Sequence, residues 1–316
     1  MSLGRASLRV LFRLSVCALV TSQLGCPSDR RPSDDGERER PRRPDSDESA
    51  AEVRSGGGYP LEVIDDSGTR HHFGAPPERI VSLVPSATET LLALGIGERL
   101  VGRTDYDRLP ELRGLPSVGG GLQPNLEVLV ALEPDLVIVF EGESDRATGE
   151  RLRNLGVPHF SIRPDGIADI RTIVERLGRI TGTTPAADSL LAGIQGALDD
   201  VAARVESRPR RKVVYLMGGE PPWVAGPGTY IHELMVAGGA DNVVEDLGGL
   251  YGPISLEELL TREVDLILVS EQTGAVPPQL SAVAQARVPG WVEVPGPRLG
   301  KAARTLARLV HPEAFR

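Results

Sequence analysis

The sequence predicts an α/β protein: two Rossmann-like lobes with a ligand cleft between them, joined by one long helix. Three observations predict it. First, one segment occurs twice without a gap, Asn125-Leu-Glu-Val-Leu-Val-Ala-Leu-Glu-Pro-Asp-Leu-Val-Ile-Val-Phe140 lying over Ser255-Leu-Glu-Glu-Leu-Leu-Thr-Arg-Glu-Val-Asp-Leu-Ile-Leu-Val-Ser270 at a constant offset of 130 residues. A period this long exceeds that of a solenoid and suits two related lobes. Second, each copy opens on a helix-capping residue and closes on Asp followed by an apolar run, Leu136 to Phe140 and Leu266 to Val269. A helix followed by a strand covered on both faces is the unit of an α/β sheet. Third, Leu190, Leu191, Ile194, Leu198, Val201 and Val205 recur at helical spacing between Pro185 and Arg208. Such a helix is roughly 35 Å long, enough to cross from one lobe to the other.

The elements follow in chain order. Arg5, Arg9 and Arg13 precede the apolar stretch Leu14 to Val20, which is too short to span a bilayer and reads as a secretory signal. Leu24-Gly25-Cys26 then resembles a bacterial lipoprotein signal, with Gln23 where such signals usually carry Leu. The resemblance implies lipidation of Cys26. Residues 1–26 are therefore expected to be a lipoprotein-type signal, and cleavage there removes Cys17 and leaves no partner for a disulfide. Residues 27–58 are Arg, Asp, Glu, Ser, Pro and Gly with Ala50, Ala51 and Val53, the last their only large aliphatic side chain, a composition that cannot offset ordering entropy and predicts a disordered tether.

Residues 59–184 are expected to form the N-terminal lobe. Leu61 to Phe73 reads as a hairpin about the turn Asp65-Asp66-Ser67-Gly68. His71 and His72 fall in it on opposite faces, which argues against a shared metal. Ile80 to Val84 is a buried strand, and Ser86 with Glu89 three residues on predicts a capped helix ending at Gly95. Leu100-Val101 and Val157 to Ile162 are further strands. Pro134 is expected to end the first repeat helix. Residues 185–208 are the interlobe helix and 209–316 the C-terminal lobe. That lobe opens on a strand from Val213 to Met217, continues through a loop from Gly218 to Tyr230 and a helix ending near Gly238-Gly239, and closes on a helix after Pro297. Ser255 with Glu258 satisfies a Ser-x-x-Glu capping box. Ligands of open α/β sheets collect beyond the carboxyl ends of the strands, which makes the loops after Phe140 and Ser270 candidate cleft walls.

Several function classes are disfavoured. The net charge of −9 and the lack of a basic stripe argue against nucleic acid. His232-Glu233 would need a second His at the position of Val236 for a zinc-protease helix, and no Gly-x-Ser-x-Gly elbow or mature Cys-His pair exists, so no catalytic residues, cofactor or metal are expected and the chain reads as a non-enzyme.

Arg79-Ile-Val-Ser-Leu-Val-Pro-Ser-Ala-Thr-Glu-Thr-Leu, Val101-Gly with Tyr106, Pro124-Asn-Leu-Glu, Pro134-Asp-Leu-Val-Ile, Pro222-Trp223 and Gly238-Gly-Ala-Asp-Asn242 together resemble the helical-backbone substrate-binding proteins of ABC importers. That group serves vitamin B12, haem and ferric siderophores, and within it the chain is most similar to the vitamin B12-binding proteins. The resemblance runs from about Leu61 to the C-terminus. It implies a monomeric receptor at the extracytoplasmic face, tethered to the membrane by lipid, that captures a corrinoid or another large metal chelate and delivers it to the permease subunits. It places ligand contacts at Tyr106, Phe140, Trp223 and Tyr251, with Pro85 and Ser86 beside them. It also places Glu127 and Glu257, equivalent in the two repeat copies, on the surfaces that meet permease arginines. Two departures bear on the pocket. An aromatic position of the relatives is Gly121 here, and an acid- and Arg-bearing loop between Trp291 and Pro297 is missing. Expected cleft loops carry Asp105, Asp107, Glu141, Glu143, Asp145, Glu220 and Glu271 against Arg103, Arg108 and Arg146, a balance better suited to a neutral corrinoid than to anionic haem or siderophores.

Overall fold

The computed structural model describes residues 58–142, 146–271, 273 and 276–316, all of which belong to one unit. The signal with Cys26, the tether up to residue 57, Glu143 and Asp145 lie outside the described residues.

The elements are β1 (Leu61–Ile64), β2 (Arg70–Phe73), β3 (Ile80–Ser82), α1 (Pro85–Ala93), β4 (Leu100–Gly102), α2 (Leu126–Ala131), β5 (Leu136–Phe140), α3 (Arg146–Asn154), β6 (His159–Ile162), α4 (Ile167–Thr181), α5 (Thr184–Val205), β7 (Arg211–Gly218), β8 (Trp223–Ala225), α6 (Tyr230–Ala237), β9 (Ala240–Asn242), β10 (Tyr251–Pro253), α7 (Leu256–Thr261), β11 (Leu266–Ser270), β12 (Ala284–Val288) and α8 (Leu299–Val310). The N-terminal sheet runs β4-β3-β5-β6, all parallel. In the C-terminal sheet β9, β7, β11 and β12 repeat that order in parallel, and β8 and β10 add an antiparallel pair along β7.

The duplication is therefore structural as well as sequential, and its hydrogen bonds repeat too. Asn125 caps α2 by accepting from the amides of Glu127 and Val128. Ser255 caps α7 by accepting from Glu258 at 3.0 Å. The rest of that capping box does not form, because the Glu258 carboxylate turns to Arg262 at 2.7 Å. Asp135 takes the amides of Glu78 and Arg79 and so pins the entry of β3 to that of β5. Asp265 takes the amide of Lys212 and does the same for β7 and β11. The first repeat helix stops at Ala131, before Pro134, with Glu133 in the left-handed region.

Alternation along the central strands builds three apolar clusters. Val137 and Val139 face outward with Leu129 of α2 and Leu152 of α3, while Ile267 and Val269 face outward with Leu259 of α7. Leu136 and Ile138 of one sheet and Leu266 and Leu268 of the other face a shared inner cluster with α1, α4, α5, α6 and α8. The expected long helix is α5, 22 residues. It is no bare strut, since its buried face packs on α4 at one end and α8 at the other. Gly300 permits the second contact: a Cβ there would stand 2.7 Å from that of Ala197.

Two local expectations are corrected. Ser86 does not cap α1: the cap residue is Val84, which offers no side-chain bond, and Pro85 starts the helix because its missing N–H would be unpaired there anyway. The segment from Gly218 to Tyr230 is not a plain loop, because Trp223–Ala225 pairs with β7 and β10.

Candidate functional site

Pro85 and Phe140 stand beyond or at the carboxyl ends of β3 and β5, where neighbouring parallel strands leave a crevice. Tyr106 joins them from the loop after β4. With Leu83, Val84, Gly121 and Leu122 they line a largely apolar cavity of about 200 Å³. The loop that carries Tyr106 is fixed from within. Asp107, expected among the cleft acids, is instead buried and accepts from the amide and the hydroxyl of Thr104 at 2.7 and 2.8 Å. Thr104 in turn accepts from the Tyr106 amide, and the ring projects outward, 64% exposed. Gly121 is compelled by this geometry, since a Cβ there would lie 2.3 Å from the Leu83 carbonyl oxygen. Ser86 is buried beneath Gly296 and does not line the cavity.

Trp223 and Tyr251 sit on the paired strands β8 and β10 of the other sheet. Pro253 lies opposite Trp223 and Tyr251 opposite Ala225, so the pleat puts Trp223 and Tyr251 on one face of this pair. Trp223 is 47% exposed and Tyr251 is partly buried on the inner cluster. Burial first, then the charges of Asp165 and Glu293, push the Tyr251 hydroxyl up and keep it a neutral donor. Asp165 follows β6 of the N-terminal sheet and Glu293 follows β12 of the C-terminal one, so Tyr251 senses both halves.

The halves also touch directly. The Asp165 carbonyl accepts from the Tyr230 amide at 2.7 Å, and Glu233 accepts from the Ile167 amide at 2.7 Å. Arg298 reaches Glu89 of α1 at 2.5 Å and lies over the Trp291 ring. Burial raises the Glu89 carboxyl, against the opposing pull of Arg298. The sequence indicates Glu89 only as a helix-capping partner, and Arg298, Asp165 and Glu293 not at all. Arg298 follows the Gly296-Pro297 step where the loop is missing, which is the one signal that could have drawn attention to it.

A larger cavity of about 780 Å³ opens between Gly218–Pro222 and Ser255–Glu257, and none of the four aromatics lines it. Glu127 and Glu257 are exposed in the first turns of α2 and α7. Among the described residues no group of three or more His, Cys, Asp or Glu could hold a metal ion, and no helix is long and apolar enough to cross a membrane.

Known proteins share this architecture. An uncharacterized ABC transporter substrate-binding lipoprotein of Bacillus subtilis, YvrC, is 26% identical over 82% of this chain and 88% of its own. A cobalamin-binding protein of Halobacterium salinarum is 32% identical over 73% of this chain, which spans 63% of that relative's length. The apo structure of the periplasmic heme-binding protein RhuT from Roseiflexus sp. RS-1 superposes with a TM-score of 0.67 at 25% identity, covering 75% of this chain and 99% of its own. The family model described as Periplasmic binding protein matches residues 80–293, from the first strand of one parallel sheet to the turn beyond the last strand of the other. This chain belongs to the Periplasmic binding protein family.

Proposed function

We propose that this chain is the substrate-binding component of an ABC importer, that it captures a corrinoid between its lobes, and that it delivers it to the permease. The observation that carries the reading is the distribution of aromatics: Tyr106 and Phe140 around an apolar cavity at the strand ends of one sheet, and Trp223 and Tyr251 on one face at the edge of the other. A large, flat, partly apolar ligand gains most from such rings. The names carried by the relatives, cobalamin and heme among their ligands, support the same class. Haem or a ferric siderophore is the alternative cargo of the same receptor. Cys26 is the proposed lipid anchor and 27–58 the proposed tether, which together hold a monomeric receptor near its importer. Glu127 and Glu257 are the proposed contacts to the permease, steering and orienting the encounter more than tightening it.

Titration with cyanocobalamin, followed by tryptophan fluorescence, tests the reading. Saturable quenching is expected, and Trp223→Ala should weaken binding by about 1 to 3 kcal/mol through lost aromatic contact. Saturation by haemin or a ferric siderophore with none by any corrinoid would replace the ligand and keep the receptor.

A further inference from the structure

The apolar cavity at the carboxyl ends of β3 and β5 measures about 200 Å³. Pockets that enclose a whole drug-sized ligand measure roughly 300 to 1,000 Å³, so this one has room for part of a macrocyclic ligand and not for the macrocycle. Its inner wall belongs to the core, since Leu83 and Val84 are buried, and its rim is open, since Tyr106 is 64% and Leu122 57% exposed. Among the described residues no charged side chain lines it. The rim is held in place. Thr148 of α3 donates its hydroxyl to the Leu122 carbonyl at 3.1 Å. The glycines before Leu122 let the chain run close to its neighbours: a Cβ on Gly121 would lie 2.3 Å from the Leu83 carbonyl oxygen, and one on Gly120 would lie 3.9 Å from the Tyr106 ring. A leucine and a tyrosine both more than half exposed, side by side on one cavity rim, form apolar surface of the kind that a bound group covers.

Resting on the proposed reading of the ligand as a corrinoid, we infer that this cavity receives the aromatic base carried below the corrin ring, and that Leu122 on its rim selects for an apolar base. A fused two-ring base matches the cavity in scale and meets Tyr106, Phe140 and Leu122 without needing a polar partner. A base with an amino group and several bare ring nitrogens would bury them against a lining whose only polar side-chain group is the Tyr106 hydroxyl. Gly121 adds no side chain to the space and so leaves it to the ligand.

Three probes test this against the wild type and Leu122→Asp: cyanocobalamin, whose base is dimethylbenzimidazole; the cyano cobamide that carries adenine in its place; and dicyanocobinamide, which carries no base. The wild type should bind cyanocobalamin about tenfold more tightly than the adenine cobamide, the scale of burying one polar ring edge without a partner, and should also prefer it to dicyanocobinamide. Leu122→Asp should weaken cyanocobalamin by about tenfold, because the base then meets a carboxylate, and leave dicyanocobinamide within about threefold. Leu122 is exposed, so the variant should keep the wild-type unfolding midpoint. If it nevertheless fails to fold, the wild-type preference between the two cobamides decides, because they differ in the base alone. Equal wild-type affinity for the two cobamides, or an equal loss of cyanocobalamin and dicyanocobinamide in Leu122→Asp, overturns the inference and leaves the corrinoid reading standing. Failure of all three probes to bind the wild type overturns that reading and the inference with it.

Discussion

The two parallel sheets share a strand order, a capped helix before the equivalent strand, and an Asp that pins neighbouring strand entries, yet their cleft edges differ in kind. The N-terminal edge is an apolar hollow made by a self-bonded loop that pushes Tyr106 outward. The C-terminal edge is a hydrogen-bonding surface, where Tyr215 donates to Glu293 and Tyr230 donates to the Val292 carbonyl next to it in the chain. β8 and β10, which the first sheet lacks, supply Trp223 and Tyr251 to that surface. The repeat has kept what builds the cores and changed what lies past the strand ends. Duplication thus yields two edges of unlike chemistry on one frame.

The largest effects should come where the halves are most alike. Leu129 and Leu259 are equivalent, both essentially fully buried against their outer sheet faces. Leu129→Ala and Leu259→Ala should each cost about 2 to 5 kcal/mol in denaturant unfolding, with similar values for the two. A cost at one site only would mean that the equivalence stops at the backbone.

An intermediate effect should appear where the halves differ. Only the N-terminal half carries the β1–β2 hairpin, and Asp65 ties it to β6 by accepting from the Ser161 amide and braces the hairpin itself by pairing with His71 of β2 at 2.9 Å. Burial raises the Asp65 carboxyl, but the hydrogen bonds from His71, Ser67, Ser161 and Thr69 outweigh it and lower it from 3.8 to about 2. Its stabilising contribution is then complete above the unfolded value and is lost as pH falls through the folded one. Asp65→Asn should cost about 2 kcal/mol at neutral pH, and its gap from the wild type should close between roughly pH 4 and pH 2. A constant gap across that window would assign the loss to packing.

The smallest effect on stability belongs to the exposed pair. Glu127→Ala with Glu257→Ala should change unfolding by only about 0.3 to 1 kcal/mol per site, the worth of an acid near a helix N-terminus, and leave corrinoid affinity unchanged. Importer-dependent uptake should nevertheless fall sharply. Uptake at the wild-type level would leave these two acids with helix stabilisation alone.

Much of the fold was legible because its signals are local. Asn125 and Ser255 announce their helices, Gly95 closes α1, and the runs from Leu136 and Leu266 have the length and apolarity of covered strands. The helix α4 was missed although it is amphipathic, since it runs through Arg171, Glu175, Arg176 and Arg179 on its outer side and abuts the more conspicuous α5. β8 and β10 escaped because strands of three residues show no periodicity. The polar links of the site were not legible at all. Glu89 and Arg298 are 209 residues apart, and Tyr215 and Glu293 are 78 apart, so only the closed chain brings them together.

The inner apolar cluster has a thermodynamic consequence. It runs unbroken from Ile80 and Leu91 through the buried face of α5 to Leu306 and Val310, so neither sheet owns a complete core. Melting one half exposes the surface that holds the other. The chain from residue 58 onward should therefore unfold in a single cooperative transition, with calorimetric and van't Hoff enthalpies in agreement. Ligand bound against either wall then raises the melting temperature of the whole molecule by mass action, and binding free energy gained at the cleft is shared by residues that never touch the cargo.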